Sequence, residues 1–430
     1  MIFSKEHKKV TIGFTILSVL ALLYVILKEP VISPDTLSFS KARVKLSAGY
    51  TSFIIVFKKI FGTAIYSKVV YTQFVVLLVS LWLFVKHTLL QLNLPINQVV
   101  VLIVILFYPI FDLNLSIVNN VNSGVLSYCF YLILLTLFYT YLRTNNNKYF
   151  FFLGGVLVVL ITFRAQFNFV LVGLILFELF NSIKLKRWNI KRIMMLALIP
   201  IVVTVIDKSY HKYIHGAYIA TPFKWISLNT SMMYVAQPSD AQYIDNLEDR
   251  EYFLMVQDLL AKEGLAYDNN MYGTRPEFVY SKFHHNLPTI CNKTIHTAGV
   301  KYFYNEQNNI PQATLKVEQI NKRLFFKLLP HNFWKWLLLW VYGVFYGLGG
   351  IIMTFLWLLA LGYLFRTWYF NKQHDPIATF LLVALTFMLL NRVLVSLSVH
   401  AITRYFFYNN WVPVVIVFMM FNRLKHQKSL

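Results

Sequence analysis

Long apolar runs recur from one end of this chain to the other, and no other feature restricts its fold as much. They cover residues 10–27, 68–85, 99–111, 125–142, 149–163, 167–183, 193–206, 347–365, 377–399 and 405–421. A stretch of this kind hides its backbone polar groups by forming a helix, and about 20 residues span a bilayer. Only 13% of the residues are charged and 57% are hydrophobic, against about 25% charged in a soluble protein. We read an all-α polytopic membrane protein with about ten transmembrane helices, interfacial helices and a mainly helical extracytoplasmic region.

Basic residues set the orientation. The N-terminus carries Lys5, Lys8 and Lys9, and the most basic inter-helix loop holds Lys184, Lys186, Arg187, Lys191 and Arg192. Arg366 to His374 and the tail with Arg423, Lys425 and Lys428 are basic too. Basic loops stay in the cytoplasm, so ten crossings place both termini there. The net charge of +22 is mostly this bias, and we expect no nucleic-acid partner. The apolar run after the N-terminus has no small-residue cleavage site behind it, so it reads as a retained helix.

The chain divides into an N-terminal membrane part (1–206), a polar region (207–333) and C-terminal membrane helices (334–430). The polar region holds 13 Lys/Arg against 12 Asp/Glu, a balance that suits the outside. Within it, 245–263 reads as an amphipathic helix on Leu247, Tyr252, Met255, Leu259 and Leu260, stopped by Gly264. Residues 51–62 are short for a span and carry Lys58 and Lys59, so they read as an interfacial helix.

The polar stretch 28–50 follows the first helix and belongs to an extracytoplasmic loop, 28–67. Asp35 lies there beside Pro34. Pro-Asp-Thr is a good helix start, so Asp35 serves either as a cap or as a general base at the membrane surface. Lys41, Arg43 and Lys45 follow at what we read as helical spacing. Asp112 opens the next outer loop, either as a solvated helix end or as a second carboxylate converging on the same cavity. Arg164 breaks the run between 149–163 and 167–183, and arginines at that depth face a cavity or an anion unless they snorkel to the surface. Arg392 and Arg404 are similar, and an arginine fork suits phosphate. The histidines match no metal motif, and P-loop, dinucleotide and nucleophile-elbow signatures are missing from the sequence. Cys129 and Cys291 are expected on different sides, unpaired.

Four stretches together carry a family resemblance. They are SPDTLSFSKA (33–42), DLNLSIVNNVNSGVLSYCFYLILL (112–135), YFFFLGGVLVVLITFRAQFNFVLVGLILF (149–177) and TRYFFYNNWVPVVIVF (403–418). In order and in side they resemble the GT-C superfamily of integral-membrane glycosyltransferases, similar to the polyprenyl-phosphate mannosyltransferase and aminoarabinose transferase group. The resemblance implies a polyprenyl-phosphate sugar donor, a lipid or glycan acceptor, and a bacterial inner membrane. It implies Asp35 as base, with Asp112 as a second carboxylate. Arg164, Arg404 and Tyr405 would hold the lipid phosphate, helped by Lys41 or Arg43. A divalent cation, Mg or Mn, is left open by it. The chain departs from the family in having Asn122, Ser123 and Gly124 where a Glu is common, and Ala165 where a Pro follows the arginine. Competing readings are a flippase, a scaffold, or a polymerase of lipid-linked glycans using Arg250 or Arg275.

Overall fold

A computed structural model describes residues 5–112, 114–267, 276–307, 309–371 and 375–427. Arg275, His374 and Lys428 lie outside the described residues. The described chain is helical throughout. In order, α1 is Lys5–Leu27, α2 Pro34–Ser40, α3 Ala48–Phe61, α4 Ile65–His87, α5 Ile96–Phe111 and α6 Gly124–Thr144. Then come α7 Asn147–Phe163, α8 Asn168–Leu185, α9 Ile190–His215, α10 Lys224–Val235, α11 Leu247–Lys262 and α12 Pro276–Pro288. A π-helical turn, Thr289–Thr297, leads to α13 Ala298–Gln307 and α14 Ile310–Gly347. The chain closes with α15 Ile351–Phe370, α16 Pro376–Ser398, the short α17 Thr403–Phe406 and α18 Trp411–Gln427.

Among the described residues six helices are long and apolar enough to cross a membrane: Lys8–Leu27, Ile65–Gln91, Gly124–Thr144, Ala165–Leu185, Ile351–Phe370 and Pro376–Ser398. Two shorter apolar helices, Ile96–Phe111 and Asn147–Phe163, pack with them. Large apolar side chains stay exposed on α1 (Ile12, Ile16, Val19, Leu23) and α15 (Ile351, Ile352, Phe355, Leu359). In water such faces would be a liability, whereas lipid solvates them.

Two cores result. In the first, α4 packs on α6, α6 on α7, α7 on α9, and α8 and α6 on α16. Trp411 is buried there between Phe84, edge-on at 5.2 Å, and Phe380, stacked at 5.9 Å. The second core belongs to the polar region, with α10, α12 and α13 packed on α14. Ala313, Val317, Ile320, Leu324 and Leu328 form its spine at helical spacing. Glu318 reaches out of this spine to accept the N–H groups of Trp225 (2.9 Å) and Ile226 (3.0 Å), which start α10.

The boundaries drawn at 206 and 333 both fall inside continuous helices, α9 and α14. Hydropathy changes at those points but the hydrogen-bond ladder does not. The helix expected at 245–263 is α11, but Leu247 is exposed and Phe253 and Val256 are buried instead, so its inner face is rotated. The interfacial helix expected at 51–62 is α3. The helical spacing read into Lys41, Arg43 and Lys45 is corrected: α2 ends at Ser40 and these residues occupy a turn before α3. Cys129 and Cys291 are both buried and unpaired.

Candidate functional site

The first loop is built around a capped helical turn. The Ser33 side chain accepts the Thr36 N–H at 3.3 Å, and the Ser33 N–H donates to the Thr36 hydroxyl at 3.0 Å, closing a capping box with Pro34 at the first position. Ser33 is therefore the cap, and Asp35, two residues further in, keeps its carboxylate free of that duty. The turn is pinned to the second loop. Val31 N–H donates to the Asn119 carbonyl at 2.7 Å, Val121 N–H returns to Val31 at 3.3 Å, and the Thr36 hydroxyl donates to the Val121 carbonyl at 2.9 Å. Asn119, fully buried, donates to the carbonyls of Val25 and Lys28 and so ties the same loop to the end of α1.

Held in this way, Asp35 faces Arg404. A carboxylate oxygen lies 3.6 Å from Arg404 Nη1, and both side chains are about half exposed (54% and 47%). Arg404 Nη2 donates to the Tyr405 hydroxyl at 3.1 Å, and its guanidinium lies 5.1 Å from the centre of that ring. Arg164 approaches the same ring at 5.0 Å and donates to the Tyr408 hydroxyl. Its position follows from the break between α7 and α8, where its backbone is extended (φ −156°, ψ 106°). The Tyr405 carbonyl accepts from Gln166 Nε2 (3.2 Å) and Asn391 Nδ2 (2.9 Å), which fixes this segment between the break and α16. Asp35, Arg164, Arg404 and Tyr405 therefore share one cluster with Tyr408.

Arg392 is not part of it. It is buried, donates to the Gly347 carbonyl at 3.3 Å and stacks on Phe406 at 4.6 Å. Asp112 is committed to its own turn. Its carboxylate accepts from the Tyr108 hydroxyl and from the N–H groups of Asn114 (2.8 Å) and Leu115 (3.0 Å). Those donors, Tyr108 first, hold its pKa below the usual carboxylate value. Lys41 and Arg43 line a cavity of about 390 Å³ together with Lys45, His215 and His296, and Asp35, Arg164, Arg404 and Tyr405 are not among its lining residues.

Sequence reasoning missed Tyr408, Gln166, Asn391 and Asp207. Tyr408 was findable, since it lies one helical turn beyond Tyr405. Asp207 carries no motif, yet its carboxylate accepts from Ala48 N–H (3.3 Å) and from Thr221 N–H (2.7 Å) and hydroxyl (2.9 Å). It joins the start of α3 to α9. Among the described residues no group of three His, Cys, Asp or Glu side chains is placed to hold a metal ion. Comparison with protein-family models, curated proteins and solved structures returned no match.

Proposed function

We propose that the chain is a membrane glycosyltransferase that moves a sugar from a polyprenyl-phosphate donor to an acceptor hydroxyl on the extracytoplasmic face. The observation that carries the reading is the meeting of a half-exposed carboxylate, Asp35, with two arginines around Tyr405. A carboxylate beside a paired-arginine site is what a displacement at a phosphate-bearing anomeric carbon needs. Arg164 and Arg404 hold the lipid phosphate. Asp35 takes the proton of the acceptor hydroxyl as its oxygen bonds to the anomeric carbon. The bond from that carbon to the phosphate oxygen breaks, and polyprenyl phosphate leaves with the electron pair. The arginines stabilise the charge that gathers on the leaving oxygen. One displacement inverts the anomeric centre.

The reading includes ten crossings with both termini in the cytoplasm and a bacterial inner membrane as the location. The basic loop holding Lys184, Lys186, Arg187, Lys191 and Arg192 supports the orientation. Transfer is to be assayed with purified protein in lipid, polyprenyl-phosphate sugars and a membrane extract of acceptors. Wild type should transfer sugar, and Asp35→Asn should lower the rate by at least 100-fold, on the order of general-base contributions. Full activity in Asp35→Asn would remove the base assignment. No transfer by wild type, with donor still bound through the arginines, would favour a flippase or scaffold.

A further inference from the structure

Three cations of the first loop, Lys41, Arg43 and Lys45, lie close together in sequence with no carboxylate among them. Lys41, Arg43 and Lys45 follow α2 in a tight turn that puts Ala42 in the left-handed region (φ +48°). Backbone bonds from Ala42 to Phe39 (3.0 Å) and from Arg43 to Ser38 (3.1 Å) hold the turn in that strained form. Strain of this kind persists where the surroundings enforce it, and it gathers at functional sites. Here three long basic side chains line one space.

That space is the cavity of about 390 Å³. Its near wall is Lys41, Arg43 and Lys45. Its far wall is His296 and Thr297 of the π-helical turn, the start of α14 and, from the end of α9, His215. No Asp or Glu lines it. Among the described residues none of the three cations is within ion-pair distance of a carboxylate. Both ring nitrogens of His296 and Nε2 of His215 are buried without a hydrogen-bond partner. Buried polar atoms are nearly always partnered, and the like charges of exposed Lys41 and Arg43 and half-buried Lys45 on one wall repel one another. A multivalent oxyanion answers both at once, because it accepts from cations and from imidazole N–H groups.

We propose that this cavity binds a phosphate group of the acceptor, as a second anion site separate from the arginine cluster that holds the donor. Its assignment to the acceptor rests on the transferase reading; the anion site itself does not. The placement favours the acceptor. The far wall belongs to the polar region, outside the bundle where a polyprenyl tail would lie. Lys45 bridges the two sites: it lies 5.4 Å over the Phe223 ring, and Asp35 is close enough to favour its charge. A group anchored on Lys45 would therefore lie within electrostatic reach of Asp35. The titration of the site agrees. Burial, then Arg43, lowers the Lys45 pKa, and burial, then Lys45 and Arg43, lowers that of His296 to about 4. The other groups facing these are Asp35 and Cys291 toward Lys45, Phe223 beside His296 at 5.3 Å, and the stacked pair His211 and His215 with Asp207 behind.

The test uses the full chain in phosphatidylcholine nanodiscs. Two probes are titrated separately: inorganic phosphate, and phosphatidic acid added to the disc. Affinity should fall at least tenfold in Arg43→Gln/Lys45→Gln and stay within twofold in Lys148→Gln, an exposed lysine outside both sites. A response to phosphate alone assigns a soluble source, and a response to phosphatidic acid alone assigns a lipid headgroup. Equal binding by wild type and the double variant overturns the site, as does an equal loss in Lys148→Gln. A second measurement needs no variant. The bound anion should raise the His296 pKa by at least one unit in a histidine-labelled NMR titration, and an unmoved His296 overturns the site. Phosphate bound by a wild type that transfers no sugar leaves the anion site standing and removes the acceptor assignment together with the transferase reading.

Discussion

At the scale of single residues, function and stability separate at Asp35. An exposed ion pair contributes about 0–1 kcal/mol, and the Asp35–Arg404 pair is half exposed on both sides. Asp35→Asn should therefore change the unfolding free energy by less than about 1 kcal/mol while abolishing transfer. A matched denaturation and activity measurement checks this, and a large loss of stability would give Asp35 a structural role. The histidines of the polar region behave differently. His296 and His284 both have pKa values lowered to about 4, burial being the main cause in each. The unfolded chain takes up these protons near pH 6.5 and the folded chain only near 4. Between those values the unfolded state binds more protons, so stability is full above about pH 6.5 and falls as the pH drops toward 4. Thermal midpoints across that window should decline, and His296→Gln should flatten the decline.

At the scale of elements, close approach decides what can change. A Cβ on Gly49 would lie 2.7 Å from the backbone of Thr162 and Phe163, so α3 can cross α7 only without a side chain there. Gly49→Ala should cost about 1–3 kcal/mol, the usual range for overpacking, and should reduce transfer, because α3 carries the loop that ends in Lys45. Gly155→Ala, with open space around its Cβ, should be neutral or gain up to about 1 kcal/mol of helix propensity. Denaturation of the two variants side by side separates a packing effect from a general intolerance of α7. The elements also show what was legible. The break at Arg164 was readable because a charge and two short apolar runs cannot continue one buried helix. The turn at Lys41–Lys45 was not, because a left-handed Ala42 is imposed by backbone bonds to Phe39 and Ser38 that no side-chain pattern encodes. Asp35 and Arg404 were each readable as outer-face charges. That they meet depends on Asn391 and Gln166 fixing the Tyr405 carbonyl, a contact between segments far apart in sequence.

At the scale of the whole molecule, hydrogen bonds between segments far apart in sequence say which helices would cross under the proposed topology. Val31 bonds to Asn119 and Thr36 to Val121, so the two loops share a side and an even number of crossings lies between them. With α4 apolar and long, α5 crosses as well despite its length. Arg164 bonds to Tyr408, beside the Arg404 that faces Asp35, so α6 demands α7. Asp207 bonds to Ala48, so α8 demands α9. Gln98 and Asn422 exchange side-chain bonds at 3.0 and 2.9 Å, so α18 descends to the level where α5 begins. With α1, α15 and α16 these contacts are compatible with the ten crossings of the proposed reading, six of them by helices long and apolar enough on their own. If only the six long helices crossed, the sides of Lys148, Lys293 and Arg366 would all reverse. Single cysteines at exposed Lys41, Lys148, Arg187, Lys293 and Arg366 distinguish the two, since Cys129 and Cys291 are buried and should label poorly. With an impermeant maleimide on intact cells, Lys41→Cys and Lys293→Cys should label, and Lys148→Cys, Arg187→Cys and Arg366→Cys only after permeabilisation. Labelling of Lys148→Cys and Arg366→Cys in intact cells would support six crossings and separate Arg404 from Asp35 by the membrane. The candidate site would then have no common side on which to work.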